Sequence, residues 1–102
     1  MDNLSQLIEQ EKATILAQTA RIEWPALEKF YAQGKVILID QTLNLVDVAY
    51  DLSINKHDVI EQLIKDGLIQ REFNSQAKSW HRDSTEVWCV IIKPWVLVQM
   101  SK

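Results

Sequence analysis

A chain of 102 residues, 47% of them apolar and with a formal charge of -3, has the size and balance for one modest core and no surplus of basic charge for nucleic acid. No apolar run approaches the roughly 20 residues that span a membrane, and the acidic, polar start lacks a signal-peptide core. A cytoplasmic protein without a membrane role is expected. With no Gly/Ser- or Pro-rich linker to divide it, the chain reads as one domain over 1–102, with an amino-terminal helix over 1–21 and a core over 22–100.

In the amino-terminal helix Leu4, Leu7, Ile8, Ile15 and Ile22 form a partial apolar stripe that Glu11 and Lys12 interrupt. The stripe fits a helix laid across its own domain; the interruption leaves first turns that project or pack on another subunit. Trp24-Pro25 starts a short helix, because proline suits the first turn, with Trp24, Leu27, Phe30 and Tyr31 on its apolar side. Gly34 stops it, and Val36 to Ile39 is a strand of branched residues.

Leu45, Val48, Ala49 and Leu52 recur at three and four residues, the spacing of one helical face. Ser53-Ile54-Asn55 is the corner, with Ile54 filling the space between two helices and Asn55 with Asp58 forming a capping box. The second helix is expected to bury Val59, Ile60, Leu63 and Ile64, and Gly67 to end it before a strand at Leu68-Ile69. A loop follows, with a short helix around Gln76 to His81, then strands near 86–92 and 95–99. This order predicts an α+β, winged-helix-like fold: a helix-turn-helix core with a small antiparallel sheet, plus the amino-terminal helix and an extra carboxyl-terminal strand. A different small α+β sandwich is the alternative.

Charge argues against the usual work of a helix-turn-helix. Residues 35–72 carry four basic and seven acidic groups. DNA binding is therefore disfavoured; it would have to use Lys56, Lys65 and Arg71, helped by Lys78 and Arg82. Asp47 and Asp51 lie one helical turn apart and, with Asp40 or Asp58, have the spacing for a hard cation, yet a solvated acidic face is the plainer reading. His57 and Glu61 read as a surface pair rather than a zinc site. No GxGxxG, GKS/GKT, CxxC, HExxH or GxSxG occurs, and neither a cofactor nor a metal is expected. Cys89 is the single cysteine, set in a Trp/Val/Ile strand, and reads as a buried thiol.

The aromatic carboxyl-terminal end is the better candidate surface. Trp80, Trp88 and Trp95 fall close together, Pro94 belongs at a bend or edge, and Trp95, Leu97 and Gln99 alternate with Val96, Val98 and Met100. One of those two sides is covered by the domain; the other calls for a partner. Trp80, His81, Arg82, Lys93, Trp95 and Gln99 are accordingly the candidate interaction residues. A catalytic set would have to use His81 as proton carrier beside Asp83 and Arg82.

Trp24 with Leu27, FYAQG at Phe30 to Gly34, VILID, LNLVDVA, Gln76-Ala77 with Trp80, and PWVLVQ at Pro94 to Gln99 together resemble the domain-of-unknown-function family 2288, from about Ile22 to Gln99. The resemblance implies a bacterial soluble protein and brings no activity or catalytic residues with it. The reading that follows is a non-enzymatic protein-interaction or accessory module that binds a protein partner or associates with itself. A nucleic-acid-binding regulator and a small-molecule-binding protein or enzyme around Trp80 to Asp83 are the alternatives.

Overall fold

Val36 to Ile39 and Val96 to Val98 are runs in which every successive residue is buried. Neighbours on a strand point to opposite faces, so such runs need apolar cover on both sides of a sheet. The computed structural model, which describes residues 3–101, has that arrangement.

In chain order the elements are α1 (Asn3–Gln18), β1 (Ala20–Glu23), a 3-10 turn (Trp24–Leu27) running into α2 (Glu28–Ala32), β2 (Val36–Ile39), α3 (Leu45–Ser53), α4 (His57–Lys65), β3 (Ile69–Gln70), α5 (Asn74–Asp83), β4 (Glu86–Ile92) and β5 (Trp95–Met100). The strands form one sheet in the order β1-β4-β5-β2-β3. β5 runs parallel to β2, and the other pairings are antiparallel. On one face, Trp24, Leu27, Phe73, Ala77 and Trp80 pack on Val36, Leu38, Val87, Val96 and Val98. On the other, Ile15 of α1 and Leu45, Val48 and Ala49 of α3 pack on Ile37, Ile39, Val90 and Leu97.

The chain is thus a mixed α+β domain, but the sheet differs from the small antiparallel one expected. It is mixed, and β2 lies between β3 and β5, the latter in the interior of the sheet instead of being an appendage. Val96 and Val98 therefore need no partner, since the 3-10 turn and α5 cover them. β1 was not anticipated. Ala-Arg-Ile-Glu has a single large apolar residue, and its strand conformation comes from pairing with β4.

The α3–α4 pair is present with a different corner. Asn44, not Asn55, is a working cap, its Oδ1 accepting from the Asp47 N–H at 3.1 Å at the start of α3. Asn55 has φ +58, a left-handed conformation that asparagine tolerates, and this turns the chain so tightly that Ile54 is left exposed. α4 directs Ile60 and Leu63 toward the core and leaves Val59 and Ile64 exposed. Gly67, φ +72, closes it as expected. The second half of α1 lies across its own domain, packing through Ile15 with Lys12 Nζ 3.1 Å from Asp47 and over the Tyr50 ring, while Leu4 and Leu7 in its first turns are exposed.

Trp24 is the hub of the first face. Its ring lies 5.5 Å from Tyr31, 5.6 Å from Phe73 and 5.3 Å from Trp80, tilted or edge-on in each case. Its side chain is fully buried, whereas Trp88 is 38% exposed. Trp24→Ala should therefore lower unfolding free energy by about 3–5 kcal/mol, the range for an emptied aromatic core site. Trp88→Ala should cost far less in the same urea titration; equal losses would contradict the assigned packing.

Candidate ligand-binding cleft

α2 and α5 lie side by side on the Trp24 face and leave an open cleft of about 610 Å³ between them. Ala77 forms its apolar floor above the fully buried Trp24, Ala32 its small wall, and Glu28, Tyr31, Asn74, Lys78 and His81 its polar rim. The spacing explains the grouping: Glu28, Tyr31 and Ala32 follow at three and four residues on α2, as do Asn74, Ala77, Lys78 and His81 on α5.

Two hydrogen bonds tie the helices together across this space. His81 Nδ1 and Glu28 Oε1 are 2.6 Å apart, and the Tyr31 hydroxyl donates to Asn74 Oδ1 at 2.5 Å. The same hydroxyl accepts the Phe73 N–H at 3.0 Å, so Tyr31 fixes the start of α5 and has both roles occupied. Beneath them the Trp24 Nε1–H is buried with no hydrogen-bond partner among the described residues. With the His81 proton on Nδ1 toward Glu28, Nε2 carries the lone pair, and the dyad can accept a proton or hydrogen-bond a polar ligand.

The other anticipated residues divide across the molecule. Trp80 is buried in the core and is no part of an accessible surface, because a helix, not a loop, carries it and turns it inward. His81 pairs with Glu28 instead of Asp83, which is bound by its neighbour Arg82 at 3.3 Å. Trp95 packs with the opposite face, under the Arg71 guanidinium at 4.8 Å. Gln99 Nε2 donates to the Asp40 and Leu43 carbonyls, both at 2.9 Å, and so latches the loop before α3. Lys93 is exposed in the β4–β5 turn. The interaction set therefore does not converge on one surface.

The basic residues are also dispersed. Lys56 lies 3.9 Å from Asp51, and Arg71 also donates to the Gly34 carbonyl at 2.9 Å. Lys56 and Lys65 flank α4 on one face of the sheet; Lys78 and Arg82 are on α5 on the other. Among the carboxylates, Asp47 faces Lys12, while the Asp40 carboxyl accepts from the Thr42 hydroxyl and N–H, which together hold it below its ordinary value. No group of three His, Cys, Asp or Glu side chains among the described residues is placed to hold a metal ion. Nor, among them, is any helix long and apolar enough to cross a membrane.

Comparison with known proteins agrees with the architecture. The profile of the family described as "Protein of unknown function (DUF2288)" matches residues 10–100, and the chain belongs to that family. The match includes the second half of α1, beyond the segment that the sequence motifs mark. The solution structure of PA1075 from Pseudomonas aeruginosa is similar, with a TM-score of 0.78 and 26% identity over 94% of this chain and 86% of that one. No curated protein matches.

Glu28 and His81 are both substantially exposed, so their contact should contribute little to folding. A double-mutant cycle of Glu28→Gln and His81→Ala should return a coupling of only about 0.2–1 kcal/mol. A coupling well above that range would make the pair a structural clamp. Cys89 supplies a separate test. Burial raises its pKa above the ordinary 9.0, so the folded thiol keeps its proton where the unfolded one has lost it. Its contribution to stability is intact below 9.0 and declines as pH rises through the folded value. The wild type should lose more stability above that pH than Cys89→Ala; parallel pH profiles would refute the assignment.

Proposed function

We propose that the protein is a non-enzymatic binding module that takes a small organic ligand in the α2–α5 cleft. The apolar body of the ligand would lie between Ala32 and Ala77, above the layer that the buried Trp24 supports from below, and its polar end would meet Glu28, Asn74, Lys78 and His81. The carrying observation is the convergence of these groups, from helices far apart in sequence, around about 610 Å³ of open space. That volume and the mixture of an apolar floor with a few polar groups are those of small-ligand sites. Of the residues singled out from the sequence, His81 belongs to this set, while Trp80 supports the floor from inside the core.

Proton transfer is the second reading, favoured by the 2.6 Å Glu28–His81 contact. Against it, Glu28 and His81 stand open to solvent on the rim, and the Tyr31 hydroxyl is engaged on both sides. A winged-helix nucleic-acid regulator has weaker support, because its phosphate contacts would come from opposite faces of the sheet. A larger interaction surface built on Trp80 and Trp95 meets the same obstacle.

Amide NMR titration with a set of small aromatic acids and amines tests the binding reading. Shifts should concentrate at Ala32, Asn74, Ala77 and His81 and vanish in Ala32→Trp, which fills an exposed part of the cleft without entering the core. Absence of binding across the set, or binding unaffected by Ala32→Trp, would reject it.

A further inference from the structure

β1 borders the sheet, and its residues Ala20, Arg21 and Glu23 are exposed. The direction of its backbone groups follows from its register. Trp24 N–H donates to the Thr85 carbonyl at 2.8 Å, and residues directly opposite in an antiparallel ladder alternate between bonded and non-bonded pairs. Ile22 and Ala20, opposite Val87 and Cys89, are thus the bonded positions. Arg21 and Glu23 turn their N–H and C=O groups away from β4, toward the open edge.

A second copy adding antiparallel to this edge must bond through those two residues. A two-fold axis at Arg21 would set guanidinium opposite guanidinium, and one at Glu23 carboxylate opposite carboxylate. An axis at Ile22 sets Arg21 opposite Glu23 of the other copy, twice, at positions whose amides both face outward. The β4 register adds a reason for this pairing. Glu23 lies opposite Glu86, a like-charge pair, and Arg21 reaches Glu86 at only 3.8 Å. A second Arg21 would bring the missing positive charge.

We propose that β1 is a self-association edge, pairing with β1 of a second copy about a two-fold axis through Ile22 and continuing the sheet across the dimer. Charged residues on an edge strand ordinarily discourage such pairing, but here their order makes the edge complementary to itself. The proposal is independent of the cleft.

Sedimentation equilibrium on the full chain, from micromolar to millimolar concentration, gives the test. The wild type should show a reversible dimer that weakens with added salt. Glu23→Arg should raise its dissociation constant about tenfold or more, because arginine then faces arginine twice. This variant also replaces the Glu23–Glu86 repulsion with attraction, so its monomer should remain folded by circular dichroism. The charge-swapped Arg21→Glu/Glu23→Arg chain should recover association. A wild type monomeric throughout, an undiminished Glu23→Arg dimer, or a swap that fails to restore pairing would each overturn the proposal.

Discussion

Cover on both faces of β2 and β5 is the constraint on which the other features depend. These two strands lie side by side in parallel, and Val36 to Ile39 and Val96 to Val98 present apolar residues alternately to the two faces. A parallel pair cannot be closed by a hairpin, so the chain must cross over between them. The intervening residues use that path to place α3 and α4 on one face and α5 on the other. The cleft is a by-product of this division, because α5 shares its face with α2 and the two short helices are tied to each other at the rim by the Glu28–His81 and Tyr31–Asn74 contacts.

Local signals made several elements legible. The spacing of Leu45, Val48 and Ala49 marked α3, Pro25 marked the turn after Trp24, and Gly34 and Gly67 stand at positive φ where helices end. What failed depended on distant chain. Periodicity could not distinguish a strand with one wet side from a strand enclosed on both, which is why Val96 and Val98 pointed to an outside partner. Asn55 has good capping chemistry, but the backbone at the corner spends that residue on a left-handed turn.

The candidate site was half legible. His81 and its neighbourhood stood out by composition, yet its partner Glu28 lies 53 residues earlier and has no local feature to connect it. Recognition of α5 as a full helix would have helped: with Ala77 and Trp80 inward, Asn74, Lys78 and His81 fall on the border of the buried face. Gln99 shows the converse. A polar residue at the end of an apolar strand looked available for contact, but its amide satisfies two loop carbonyls.

Trp24 joins the sheet edge to the cleft. Its N–H, bonded to Thr85, fixes the register in which Arg21 and Glu23 face outward, while its buried ring supports the cleft floor beneath Glu28 and His81. Pro25 then turns the chain off the sheet and directly into the 3-10 segment that leads to α2. A shift of the β1 register by one residue would reverse which amides face the edge and would also displace the indole from between Tyr31, Phe73 and Trp80. The aromatic packing therefore holds the edge in a single register, so a four-residue strand with one large apolar side chain is defined by the core that follows it.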